Sequence, residues 1–378
     1  MEDKRHEEYD ENMPARKAWA KILPFLGVYK LDIISIIVIM LFNAALDVLL
    51  PVMTGYVVKN YVQPRQTEGL ALFAFLYLLV VILRALCTVL FAKQAIKVEV
   101  CLSRDLREKL FNHLQELSFS YYNVTPVGTI MSRVMSDTER IGSVFSWSMV
   151  DVFWSSAYII GCLGVMFFMN WKLAILILII MPPIAFFTVF FQKRILQTNR
   201  QVRKINAEMT RHYNEGITGA KTSKTLVIED ENTGRFQDVT GDMKRTTIHA
   251  VSLNAIYIPI MVFLTSLAVA FMLTSGGNMV IAGNIDIAEL TIFINYALII
   301  VDPVQSLSRT ISNLISTQAN IERCSVLLEK EPEIKDSEEV IKKYGTSFDP
   351  IRENWEPIEG DIEFKDVSFM YSDGTEYV

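Results

Sequence analysis

The sequence predicts an all-α polytopic membrane protein, and three observations predict it. Of its 378 residues, 51% are hydrophobic and the mean hydropathy is +0.29, above the usual soluble composition. Apolar runs near 33–58, 69–92, 145–169, 171–192, 251–275 and 285–307 are each long enough to cross a bilayer core, which takes about 20 helical residues. Two long polar segments, 93–144 and 193–250, keep apolar residues at helical rather than strand spacing. The full expectation is six long transmembrane helices with two intracellular helical hairpins, plus a short C-terminal β segment.

At the N-terminus, Glu2, Asp3, Glu7, Glu8, Asp10 and Glu11 precede any apolar run, the wrong order for a cleavable signal peptide. Over 14–30, Trp19, Ile22, Leu23 and Leu26 recur at helical spacing with Lys17 and Lys21 between them. That pattern fits an interfacial helix lying on the membrane, or an amphipathic helix packed on protein.

Spans three and four meet at Asn170 and Trp171, so they form a hairpin with a very short loop and put those ends on one face, with the loop 60–68. Segment 93–144 holds seven Lys or Arg and 193–250 holds eleven, whereas the opposite loops contribute Arg65 and Lys172. The excess of positive charge predicts cytoplasmic termini and cytoplasmic polar segments.

Those segments, 52 and 58 residues long, exceed what a structureless loop tolerates. Leu102, Leu106, Leu110, Leu114 and Leu117 form one apolar stripe among Arg104, Asp105, Arg107, Glu108 and Lys109, so span two continues into the cytosol as a helix. Running from about 69 to 112 at about 1.5 Å per residue, it would be roughly 65 Å long, twice the bilayer core. Interruptions at 123–128, with Pro126, and at 216–219, between two glycines, are where each extension turns back.

Within the spans, Asp47, Arg84 and Asp151 each need a partner or a water-filled cavity, since a central Asp or Arg costs about 2.5–3.5 kcal/mol on insertion scales. Asp47 and Arg84 fall at similar depth. Arg84 therefore either pairs with Asp47 or faces a cavity and holds an anionic substrate group, such as a lipid phosphate, through its planar fork. Asn43, Trp154, Asn254, Tyr257, Asn295 and Tyr296 either line that cavity or hydrogen-bond helix to helix. Asp302 before Pro303 marks a break in span six.

The net charge of −6, with basic residues alternating with acids, argues against nucleic acid as a partner. Cys87, Cys101, Cys162 and Cys324 have no metal-ligand spacing and lie in apolar spans or cytosolic segments, so no disulfide is expected. No phosphate-cradling GxxxxGK[ST] loop occurs.

Local strings give a resemblance. Leu106, Arg107, Leu110, Phe111, His113, Leu114, Leu117, Phe119, Tyr121 and Tyr122, then Gly128, Met131, Ser132, Arg133 and Asp137, resemble the first intracellular loop of type IV ABC exporters. Glu215, Gly216, Ile217 and Gly219, followed by Leu226, Glu229 and Phe236, resemble the second. Pro303 and the run 318–328, with Arg323, resemble the family's exit toward its linker. Ile362, Phe364, Val367, Phe369 and Tyr371 resemble the opening of its nucleotide-binding domain.

The resemblance implies a cytosolic tail and elbow helix over 1–30, a six-helix transmembrane domain over 31–328, a linker over 329–360 and the first strands of a truncated nucleotide-binding domain over 361–378. It implies ATP and Mg2+ as cofactors of the intact protein, with Tyr371 stacking on adenine; the other reading of Tyr371 is a cross-strand aromatic in a plain hairpin. Phe119, Tyr121 and Tyr122 at the first turn, and Tyr213, Glu215 and Ile217 at the second, would seat in the nucleotide-binding domain or pack within their own hairpins. The implied partners are that domain, the bilayer and a second half-transporter, identical or not. The acidic run 329–361, with eleven Asp or Glu against five Lys or Arg, reads as a solvated connector.

Three functions follow from these readings. The first is an exporter of hydrophobic or amphipathic compounds in the cell membrane. The second is a passive channel or secondary carrier, which needs paired broken helices at midplane. The third is a non-hydrolysing scaffold half of a heterodimer, because the chain as written carries no hydrolytic motif.

Overall fold

The structure is a computed structural model that describes residues 14–332, 336–346, 349–357 and 360–367. Helix α1 (Ala15–Val28) leads into α2 (Lys30–Val57), which ends in a π turn at Val58–Val62. Then come α3 (Leu70–Glu116), the short α4 (Phe119–Val124) and α5 (Val127–Ser132), a π turn at Arg133–Asp137, and α6 (Thr138–Met169). Next are α7 (Trp171–Thr218), α8 (Ala220–Leu226), α9 (Glu229–Ile281), α10 (Ile287–Ile299), α11 (Val301–Glu329) and α12 (Glu338–Tyr344). Six segments, Lys30–Val62, Leu70–Glu116, Val127–Met169, Trp171–Thr218, Glu229–Ile281 and Ile287–Glu329, are long and apolar enough to cross a membrane. The protein is an all-α, multi-pass membrane protein.

The helix boundaries have local causes. Asn170 caps α7 by accepting from the backbone N–H groups of Lys172 and Leu173 at 3.1 and 3.3 Å, which lets spans three and four reverse within one residue. Gly69 opens α3 in the left-handed region at φ 82°, where its lack of a Cβ removes the steric penalty. At the first hairpin turn the chain leaves the helix at Leu117 and Ser118, earlier than the predicted 123–128, and breaks again at Thr125, which Pro126 holds in the extended region. Span six breaks at Ile300, three residues before Pro303, because the proline ring displaces the carbonyl four residues back and offers it no N–H.

Span one packs on spans two, three and the outer part of span six, span four packs on span five, and α11 packs on spans three and four. One core cluster lies where the helices extend beyond the apolar spans. There Leu102, Leu106, Leu110, Leu114 and Leu117 meet Ile141, Ile321, Cys324 and Leu327. Helix α1 presses Ala18, Ile22 and Leu26 into the same cluster while Leu23 and Val28 face outward, so it both packs on protein and keeps an outer apolar face. Lys17 and Lys21 reach Glu329 at 3.0 and 2.7 Å, and Ser325 donates to the Ala18 carbonyl at 3.2 Å, tying α1 to the end of α11. At the joint between α1 and α2, Tyr29 donates to Asp105; burial first, and then that hydrogen bond, push its phenol up to about 12.

Helices α3 and α6 approach closely where Gly142 faces Glu99 and Ser103. A Cβ built there would stand 2.7 Å from the Glu99 carbonyl oxygen. Gly142→Ala is therefore expected to force the two helices apart at a cost of about 1–3 kcal/mol, read as a lower melting temperature in detergent. A melting temperature equal to wild type would show that the contact yields freely.

The predicted C-terminal β segment is not formed among the described residues. Residues 361–367 follow no helix or ladder, Ile362 and Phe364 are exposed, and the one β pairing seen is an isolated bridge between Gly345 and Pro350. A single strand with no partner cannot satisfy its backbone. Tyr371 lies outside the described residues. The four cysteines are all free.

Candidate functional site

Two regions carry unusual polar chemistry, one inside the spans and one at the hairpin turns of the helical extensions. In the spans, the α2 residue Asp47 is buried, forms an ion pair with the Arg84 Nε of α3 at 2.5 Å, and accepts a hydrogen bond from the Trp154 Nε1 of α6 at 2.8 Å. The ring of Trp154 stacks on Tyr158 with centroids 5.8 Å apart. Three helices are thus joined through one carboxylate. Of the two roles open to Arg84, the geometry supplies the pairing; its side chain remains 47% exposed, because only 6% of the apolar window of α3 is buried.

The remaining predicted span residues divide. Asp151 accepts from Thr310 Oγ1 at 3.1 Å, linking α6 to α11. Tyr296 is fully buried and donates to the Val48 carbonyl at 2.7 Å, an interhelical bond between α10 and α2. Asn254 and Asn295 donate back to carbonyls one turn earlier, at 3.2 and 2.8 Å. Tyr257 packs against Phe191, and neither its hydroxyl nor the buried Asn43 Oδ1 has a partner among the described residues.

At the first hairpin turn, Phe119 is 87% exposed while Tyr121 packs against the core of the helical extensions and Tyr122 donates to the Leu114 carbonyl at 2.5 Å. Phe119 is presented outward, and the two tyrosines brace the hairpin from within. At the second turn, Ile217 is 74% exposed, Tyr213 sits edge-on to Phe236 at 4.7 Å, and Glu215 lies 3.7 Å from His212 and 3.9 Å from Arg211. Helices α7 and α9, of 48 and 53 residues, hold that turn roughly 70–80 Å from their outer ends at about 1.5 Å per residue.

The strongest polar node among the described residues is one that sequence reasoning named only as motif letters. Asp137, just past the first turn, accepts two bonds from Arg323 of α11, both 2.8 Å, and one from Asn320 at 2.8 Å. Beside it, Arg107 donates to Thr138 Oγ1 at 3.2 Å and to the Met135 carbonyl at 3.3 Å. A charged Asp in a turn with an Arg 186 positions later carries no spacing signal, so only the fold brings them together.

The fit of Mg2+ and ATP to this chain is poor. Among the described residues no group of three His, Cys, Asp or Glu could hold a metal ion, and the sequence has no phosphate-cradling loop.

Comparisons with known proteins agree with this architecture. The family described as ABC transporter transmembrane region matches residues 33–304. The ATP-dependent lipid A-core flippase of Desulfotalea psychrophila is 31% identical over 275 residues, covering 73% of this chain and 46% of the relative. The flippase of the same name from Haemophilus influenzae is 25% identical over 372 residues, 98% of this chain and 61% of the relative. The putative multidrug export ATP-binding/permease protein YgaD of Bacillus subtilis is 23% identical over 364 residues, 95% of this chain and 61% of the relative. The chain thus spans about half the length of the curated relatives it matches.

Proposed function

The chain belongs to the family of ABC transporter transmembrane regions, and from that premise we propose that it is the membrane part of an ATP-driven exporter of a hydrophobic or amphipathic compound, such as a lipid, drug or peptide. It would work by alternating access in the cell membrane, with both termini cytoplasmic. In this reading residues 31–328 form the transport domain, 1–30 a tail and elbow, 329–360 a linker, and 361–378 the start of a nucleotide-binding domain that supplies ATP and Mg2+ binding. A second half-transporter, identical or different, completes the translocation path.

The observation that carries the reading is the pair of rigid turns, one presenting Phe119 and the other Ile217, far from the apolar spans. Exposed apolar side chains at the tips of long helices suit insertion into a partner pocket, and an aromatic anchor seats there at low entropy cost. The Asp137–Arg323 node then connects the first turn to α11, so displacement of the turn is passed to span six rather than lost in a loose hairpin. Tyr213 and Glu215, with Tyr121 and Tyr122, shape and stiffen the two tips.

Vanadate-sensitive ATPase activity of the intact native protein, with ATP-dependent movement of a fluorescent lipid in proteoliposomes, tests this. Lipid movement that follows a sodium or proton gradient without ATP would overturn it in favour of a secondary carrier. Within the exporter, Phe119→Ala is expected to leave the stability within about 0.5 kcal/mol of wild type while ATP-driven transport falls on the order of tenfold. Unchanged transport would remove Phe119 from the coupling surface.

A further inference from the structure

Helix α7 carries an uncompensated basic stripe where it leaves the apolar span. Lys193, Arg194, Arg200, Arg203 and Lys204 are all exposed, and none has an ion pair among the described residues. At about 100° per residue, Lys193, Arg200 and Lys204 share about 40° of arc on the side opposite the buried Phe191 and Thr198, with Arg194 and Arg203 on the flanks. No Asp or Glu occurs between Asp151 and Glu208. The packed neighbours add none that is free. The Phe191–Tyr257 and Tyr213–Phe236 contacts set α9 residues 245–256 beside the stripe, and that stretch holds Arg245 and His249 but no acid. On α11, the cluster of Ile184 with Val301 and Val304 sets residues 312–323 alongside, where the one acid, Glu322, accepts from Gln318 at 2.8 Å. On the first extension, by contrast, Lys97, Arg104 and Arg107 each have a carboxylate within 3.5 Å.

Water can solvate such a stripe; what singles out a partner is complementarity and reach. Ahead of Pro14 the chain carries Glu7, Glu8, Asp10 and Glu11, with no Lys or Arg between Arg5 and Arg16. At no more than about 3.4 Å per residue, Glu7 can lie up to about 24 Å and Glu2 up to about 41 Å from Pro14. Pro14 itself is held close by. Helix α1 is tied to α11 at Ser325 and Glu329, α11 packs on α7, and two neighbours of one helix have axes within about 20 Å of each other. Lipid headgroups match less of the stripe. The apolar run of span four ends near 192, a headgroup layer is about 5–8 Å thick, and Arg203 and Lys204 stand about 15 Å beyond Lys193.

We propose that the acidic N-terminal segment of this chain docks along the basic stripe of α7, between Lys193 and Lys204, and ties the α1–α11 corner to the free side of the α7–α9 hairpin. Each exposed pair is weak, but tethering holds the acids at an effective concentration in roughly the mM range, and several pairs form together. The contact is a salt-sensitive restraint on the hairpin, and it does not depend on the exporter reading.

The test is zero-length carbodiimide crosslinking of the intact protein in phosphatidylcholine nanodiscs, which joins a carboxylate to a lysine amine, with the joined peptides identified by mass spectrometry. Lys193 and Lys204 are compared with Lys221 and Lys224, which are exposed at the second turn. At about 50 mM NaCl the acids of residues 2–11 are expected to join the stripe lysines on the order of tenfold more than the turn lysines, and about 500 mM NaCl should remove most of that excess. Arg200→Gln with Arg203→Gln leaves both lysines in place and should cut the excess at least about threefold at an unchanged melting temperature. Deleting residues 2–12 should speed hydrogen exchange over 205–218 several-fold at the lower salt and not at the higher. Equal yields at the four lysines, or an excess insensitive to both salt and the double variant, overturns the proposal. Exchange unchanged by the deletion overturns the restraint. An excess found only between two chains overturns the intrachain contact, and an excess lost in phosphatidylglycerol discs gives the stripe to lipid headgroups instead.

Discussion

Arg323→Met is expected to lower stability by about 3 kcal/mol, among the largest single-site losses in the helical extensions of the protein. The cost follows from what stays behind. Asp137 is 4% exposed at its side chain and takes three of its bonds from α11, two of them from Arg323. Without the guanidinium, a nearly buried carboxylate keeps only the Asn320 amide and its neighbours' dipoles. Removing one partner of a buried pair costs about 3–5 kcal/mol, and the lower end applies because Arg323 is itself 38% exposed. Adding Asp137→Leu to Arg323→Met should recover much of the loss in melting temperature, because the double variant no longer holds an uncompensated charge. If the double variant is as unstable as the single one, the loss is one of packing and the charge argument fails. In the proposed exporter the same single variant should separate two readouts: ATP turnover persists while transport falls, since the first turn is no longer tied to span six.

That node also shows how far the sequence could be read. The six spans and the two helical extensions were legible because apolar periodicity is local: Leu102, Leu106 and Leu110 announce a helix whatever they pack on. The exposure of Phe119 and the inward packing of Tyr121 were not legible, because three aromatics within four residues differ only in which way the turn aims them. The break in span six was visible from Pro303, since proline acts on its own backbone and on the carbonyl four residues back. The Asp137–Arg323 contact and the second partner of Asp47, Trp154, join residues 186 and 107 positions apart, and no local rule reaches that far. The alternating run at 362–367 reads as a strand for a local reason too, but a strand is completed by a neighbour, and none is found among the described residues.

Asp47 and Arg84 were matched by depth alone, and their contact yields a sharply asymmetric expectation. Arg84→Met places an apolar side chain on the lipid-facing side of α3, where it is well tolerated, yet it leaves the buried Asp47 with a single donor, Trp154. The stranded carboxylate should cost about 3 kcal/mol or more. Asp47→Asn behaves otherwise. The amide oxygen can still accept from Trp154, and the freed Arg84, on a long stem and 47% exposed, can extend toward the nearer headgroups. Its cost should be near 1 kcal/mol, the worth of a neutral hydrogen bond lost. Melting temperatures in the same detergent should therefore rank wild type above Asp47→Asn, and Asp47→Asn well above Arg84→Met, with Asp47→Leu plus Arg84→Met lying above Arg84→Met alone. The reverse order for the single variants would mean that Arg84 is the more buried charge and that the exposed side of α3 is covered. Equal small losses would mean that water reaches Asp47 and that the three-helix junction is part of an open cavity.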